Sequence, residues 1–194
     1  MTEGRFERAI AALDALHAED PERVEVDGRN VAAELLYAER MTAALALLSS
    51  EPSEALRLAV RAQHLCRWRL PRASYPEGKA GYHAWRREAA RQHAELAAAT
   101  LRDAGYDEET VARVQALVQK KGLGRDPEAQ ALEDAACLVF LEHHAEPFAR
   151  GRDEAELVEI VRKTWRKMSP RARELALERP LSPAVRALLD RAAD

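Results

Sequence analysis

The stretch HAWRREAARQHAELAAATLRDA, residues 83–104, decides the fold. Trp85, Ala89, His93, Leu96 and Ala97 recur at three- and four-residue intervals with Arg86, Gln92 and Glu95 between them, which is the period of an amphipathic helix. The same period runs outward in both directions and predicts helices at about 3–19, 30–49, 53–68, 83–104, 108–121, 128–148, 154–168, 170–178 and 183–192. No segment alternates long enough to read as a strand. Helix starts are marked by Ser53, Asp107, Asp126-Pro127, Asp153 with Glu156, Ser169-Pro170 and Ser182-Pro183, each offering an oxygen acceptor at the N-cap. Gly105 and Gly122 suit left-handed C-caps. The expectation is an all-α fold: one helical domain over 1–194, its core at about 25–150 and its C-terminal helices at about 153–192 packed on that core.

Composition agrees with that expectation and narrows the function classes. The chain has 194 residues, 47% hydrophobic and 32% charged, with eight Gly and a net charge of −3, a balance that suits packed helices rather than a disordered chain. The negative balance excludes a strongly cationic nucleic-acid coat, though not a local basic patch. No apolar run approaches the length of a bilayer span, and Met1-Thr2-Glu3-Gly4-Arg5 opens into an amphipathic pattern rather than a signal peptide, so a cytoplasmic protein with no membrane partner is expected. Cys66 and Cys137 lie far apart without a CxxC spacing and read as reduced, Cys137 as core.

Chemistry concentrates between Arg61 and His93, where Gln63-His64, Arg67-Trp68, Pro71-Arg72, Tyr75-Pro76, Gly81-Tyr82 and Trp85-Arg86 follow one another. The connection at about 69–82 holds two Pro and two Gly, and a long loop in a helical domain is usually functional or disordered; its aromatic content argues for order. His64 and His93 fall on neighbouring predicted helices, which can present their imidazoles to each other. His17, His83, His143 and His144 read as exposed. Glu133-Asp134 opens the most hydrophobic run in the chain, Ala135 to Leu141, and Asp134 shares the face of Leu138 and Leu141. A carboxylate entering a core there must be paired, hydrogen-bonded or metal-bound. Glu34 lies beside the apolar stripe Val31, Leu35, Tyr37, Met41 and Leu45 and is a second inward acid. Arg67, Arg72, Arg86, Lys120 and Lys121 would offer cations to a phosphate or carboxylate, and Tyr75, Tyr82 and Trp85 would stack on a ligand or close the loop over it. The bland alternatives are a hydrogen-bonded core histidine, a first-turn acid and a loop stiffened by Arg–aromatic stacking.

Taken together, Glu34 to Met41, Gln63-His64 through His93, Lys120-Lys121, Leu132 to Glu142 and Lys163-Thr164-Trp165 to Ser169 resemble an uncharacterised domain-of-unknown-function family of bacteria and fungi over nearly the whole chain. Some of its relatives carry a glutamyl-tRNA synthetase label, whereas this sequence holds no nucleotide-binding signature of the synthetase kind. The order of helices is more distantly similar to the HD superfamily, all-α proteins whose histidines and aspartates bind metal. In that likeness His64 falls at the paired His and Asp134 at the late Asp. Leu65 stands where the motif has Asp, Glu34 or a neighbour replaces the first His, and Lys120-Lys121 stands about where dinuclear members bring another His. The resemblance therefore implies at most one divalent metal ion, with Glu34, His64, His93 and Asp134 as donors, or a Lys120 or Lys121 ammonium in its place.

Three functions compete. One is an HD-like, metal-dependent hydrolase acting on a phosphorylated or carboxylated small molecule, with His64, His93, Asp134 and Glu34 as the catalytic groups. Another is an RNA-binding module using Arg67, Trp68, Arg72 and the basic cluster Arg162, Lys163, Arg166, Lys167 and Arg171. The third is a metabolite-sensing scaffold without turnover. Substrate and oligomeric state are not encoded in any motif of this chain.

Overall fold

The computed structural model describes residues 3–193, and the all-α expectation holds: ten helices, with one two-stranded hairpin as the only sheet among the described residues. The described residues divide into two compact units, one running to Thr42 and resuming over Glu51–Lys121, the other made of Ala43–Ser50 and the chain from Gly122 onward.

The first unit begins with α1 (Glu3–Ala18), followed by strands β1 (Arg23–Val26) and β2 (Arg29–Ala32) in antiparallel register, Val26 facing Arg29 and Arg23 facing Ala32. The sequence pattern alone missed this hairpin. Its turn is Asp27-Gly28, both at positive φ, 50° and 72°, the pair of left-handed residues that a tight two-residue hairpin requires and that an Asp-Gly pair supplies. Four residues per strand are too few for an alternation to stand out, so the turn carried the only local signal. Helix α2 (Ala33–Leu48) starts directly from β2.

Helix α3 (Glu54–Arg61) begins under Ser53, whose Oγ accepts from Leu56 N at 3.1 Å. It ends at Arg61, not at residue 68, so His64 stands in a turn rather than on the expected helix. His64 and Cys66 both take left-handed backbone, φ 61° and 55°, a conformation that costs a non-glycine residue about 1 kcal/mol or more. Short 3₁₀ turns at Arg67–Arg69 and Arg72–Ser74 then lead to α4 (Gly78–Asp103), which starts five residues earlier than its periodicity suggested. Gly81 explains how it can start there. A Cβ on residue 81 would lie 1.9 Å from the Pro76 carbonyl oxygen, so the first turn of α4 closes over that carbonyl only because residue 81 has no side chain. Helix α5 (Glu108–Val118) is capped by Asp107, which accepts from Thr110 N at 2.8 Å. It stops before the predicted Lys121, through a left-handed Lys120 at φ 56° rather than at Gly122. Helices α4, α5, α3 and α1 pack on one another around Leu13, Leu58, Val60, Leu101, Val114 and Leu117, all essentially inaccessible to water.

The second unit carries α6 (Pro127–Val139), α7 (Ala145–Ala149), α8 (Glu154–Lys167), α9 (Pro170–Glu178) and α10 (Pro183–Ala193). Four of these helices start where their capping residues placed them: Asp126, Asp153, Ser169 and Ser182 each accept from a backbone N–H two or three residues on. The expected continuous helix 128–148 is interrupted by a π-turn at Phe140–His144. Pro147 is the physical reason, because it has no N–H to give the His143 carbonyl and its ring crowds that oxygen. Helix α6 packs on α8 and α9, and α10 on α8 and α7.

Candidate functional site

His64 is the centre of the cluster that the first unit assembles. Its imidazole lies flat on the Tyr37 ring, with centroids 4.3 Å apart and planes 11° apart, and faces the His93 ring at 5.9 Å. One Nη of Arg67 lies 2.8 Å from His64 Nε2 and 3.2 Å from Nδ1. A guanidinium nitrogen can only donate, so the imidazole nitrogen it meets is an acceptor. His64 Nδ1 also lies 3.8 Å from Glu34 Oε2. Glu34 and Tyr37 are three residues apart on α2 and so share a face, which is how one helix supplies both the carboxylate and the platform.

Arg67 is held from the other side by the Trp85 ring, its Cζ 4.7 Å from the ring centroid, a cation–π contact. Trp85 is itself fixed by donating Nε1–H to the Leu70 carbonyl at 2.9 Å. The left-handed turn at His64 to Cys66 thus places His64 and Arg67 against α2 and α4 together.

Burial sets the protonation of the acids and bases here. It pushes the Glu34 carboxyl up to about 7, with Asp20 and Glu22 adding to the rise and the Arg67 charge opposing it. It takes His93 down to about 3, helped by the charge of Arg67 and by His17. Near neutral pH the cluster therefore holds one permanent cation, a neutral His93 and a carboxyl poised between its two forms.

The sequence also failed to mark His17 and Asp20 as part of this region. His17, expected at the surface, is completely buried, and its Nε2 donates to the Arg61 carbonyl at 2.9 Å, satisfying the last turn of α3. Asp20 is buried and accepts from the backbone N–H groups of Glu22 and Glu34, both at 3.0 Å, fastening the start of α2 to the end of α1. Gln63 donates from Nε2 to the Val118 carbonyl at 3.3 Å. A signal for His17 existed in the spacing Ala9, Leu13, His17, which continues the buried stripe of α1 at four-residue steps.

Of the residues picked from the sequence, Glu34, His64, Arg67, Trp85 and His93 come together. Arg72 does not join them: its two Nη atoms donate to the carbonyls of Tyr75 and Pro76, both at 2.9 Å, and tie the loop to itself. Tyr82 is exposed, with Arg86 5.8 Å from its ring centroid. Lys120 and Lys121 occupy the turn that ends α5, their backbone N–H groups bonded to Leu117 and Ala116. Asp134 belongs to the second unit, where it is buried as expected; Glu133, which the sequence did not pick as the inward acid, is buried too. Asp134 Oδ1 accepts from Ser169 N and Gln130 Nε2, both at 2.9 Å. Three basic residues of α8 and α9 are paired in the same unit, Arg162 with Glu159, Lys167 with Glu133 at 3.6 Å and Arg171 with Glu174 at 3.4 Å.

The HD likeness implies a metal, and the donors do not fit one. Among the described residues no group of three or more His, Cys, Asp or Glu side chains is arranged to hold a metal ion. Arg67 also brings a non-titrating cation to the imidazole that would have to ligate it.

The family model described as Domain of unknown function (DUF4202) matches residues 7–189, and the chain belongs to that family. No curated protein and no solved structure matches the chain. No helix among the described residues is long and apolar enough to cross a membrane.

Proposed function

We propose that the first unit binds a small phosphorylated or carboxylated molecule at Arg67, and that Glu34 and His64 exchange a proton with it. One observation carries this reading: among the described residues, Arg67 has no carboxylate within ion-pair distance, although it is only part-exposed and held in place by His64 and Trp85. A guanidinium with no carboxylate in ion-pair contact is electrostatically incomplete, and a forked donor of this kind suits the oxygens of a phosphate or carboxylate.

Glu34 supplies the proton chemistry that the reading needs. A carboxyl poised near 7 serves as general acid or base at neutral pH, and the 3.8 Å from Oε2 to His64 Nδ1 puts the second proton carrier beside it. No step is routed through a metal. Arg162, Lys167 and Arg171 already face carboxylates of their own, which weighs against the RNA-binding reading.

Titration of the protein with inorganic phosphate and with succinate, followed calorimetrically, tests the binding. The wild type is expected to bind, and Arg67→Gln to bind at least about tenfold more weakly, the loss of a charge-assisted hydrogen bond. Equal affinity in the two proteins would refute the assignment. Turnover is separated from binding by Glu34→Gln, which is expected to keep the anion while abolishing any hydrolysis of a phosphate ester. The same titrations repeated with Mn, Ni or Zn present test the metal expectation, and an affinity that is unchanged by metal supports the metal-free form.

A further inference from the structure

Two imidazole nitrogens in the first unit are buried without a hydrogen-bond partner among the described residues: Nδ1 of His17 and Nε2 of His93. Both side chains are more than nine-tenths buried. Buried polar atoms in native proteins nearly always have partners, so two such atoms on neighbouring histidines point to a group that supplies hydrogen-bond partners. The tautomer of His17 is fixed by its surroundings, since the Arg61 carbonyl can only accept and Nε2 must carry the hydrogen; Nδ1 is therefore a bare lone pair. His93 stays neutral because burial, the Arg67 charge and the neighbouring His17 all disfavour its imidazolium. Its ring lies 5.9 Å from that of His64, which is part-exposed. The cluster thus runs inward from a cation at Arg67 to uncharged imidazoles at His93 and His17, each with one unpartnered nitrogen.

We infer that the ligand held at Arg67 carries an uncharged hydroxyl, as in a hydroxylated phosphate ester or hydroxy acid, and that the unpartnered nitrogens of His93 and His17 are its hydrogen-bond partners. This rests on the Arg67 reading above and narrows it to a ligand class. A site whose buried polar nitrogens are completed by a substrate hydroxyl discriminates strongly against an analogue that lacks one, because binding the analogue leaves those nitrogens unpaired.

The probes are a matched pair, glycerol 3-phosphate and n-propyl phosphate, titrated into the wild type, Arg67→Gln and His93→Leu. The wild type is expected to prefer glycerol 3-phosphate by at least about tenfold. His93→Leu is expected to lose the preference for glycerol 3-phosphate over n-propyl phosphate. Equal binding of the pair by the wild type, or a preference that survives in His93→Leu, overturns this inference while leaving the Arg67 reading intact. If neither ester binds the wild type, both readings fall. Because a variant at a buried position can unfold, the wild type is also followed by nitrogen-15 NMR of its imidazoles. Glycerol 3-phosphate, and not n-propyl phosphate, is expected to move the His93 Nε2 resonance; an unmoved resonance shows that the buried nitrogens are met by water only and overturns the inference.

Discussion

At the scale of single residues, Glu34 and His93 make opposite demands on pH. Folding raises the Glu34 carboxyl from 4.5 to about 7, so its contribution to stability is complete below 4.5 and is lost as pH rises towards 7, roughly 3 kcal/mol in all. Folding lowers His93 from 6.5 to about 3, so its contribution is complete above 6.5 and is lost as pH falls. Between 4.5 and 6.5 the two slopes oppose each other. Glu34→Gln removes one of them: the stability of the variant relative to wild type, from denaturant unfolding at several pH values, is expected to rise steadily from pH 4.5 to 7. A relative stability flat over that range would show that Glu34 titrates as an ordinary exposed acid. The sequence showed Glu34, His64 and His93 as candidates because they sit beside apolar stripes. It could not show that His64 leaves its helix, because left-handed backbone at a non-glycine residue has no signature in composition or period.

At the scale of elements, the turn between α3 and α4 is what gathers the site, and Gly81 governs it. Gly81→Ala sets a methyl group against the Pro76 carbonyl, which Arg72 already holds, so the first turn of α4 must move. The expected cost is at least about 2 kcal/mol in thermal or denaturant unfolding, together with faster proteolysis near residues 70–80. Unchanged stability would mean that the close approach relaxes without consequence. Lys120→Gly makes the converse change, placing the residue that left-handed C-caps favour where φ is 56°, and is expected to stabilise the protein by up to about 1 kcal/mol. Helix starts were legible because capping is a local hydrogen bond between residues two or three apart, as at Ser53, Asp107 and Asp153. Helix ends were less so. Residues 62–68 keep an apolar period without being α-helical, and the helix expected to run unbroken over 128–148 is interrupted by the π-turn before Pro147.

At the scale of the whole molecule, the all-α class was readable from period and composition, whereas the partition of the candidate site was not. Asp134 shares the burial and acidity of a site carboxylate, and that is all a sequence reveals. Its partners are Ser169 N and Gln130, and it serves the start of α9 in its own unit. His17 and Asp20 were missed for the opposite reason, since their importance comes from contacts with Arg61 and Glu34 far along the chain. What remains in the first unit is a cation without a carboxylate beside a carboxyl that changes charge near neutrality, and the two are coupled: bringing an anion to Arg67 favours the protonated form of Glu34. Sulfate is the probe that isolates this coupling, because it does not titrate near neutral pH. Calorimetric titration of sulfate at pH 7, in buffers of different ionisation heat, counts the protons taken up on binding. The account predicts binding that draws in up to about half a proton in the wild type and none in Glu34→Gln; sulfate binding with the same proton count in both proteins, or no binding at all, would contradict it.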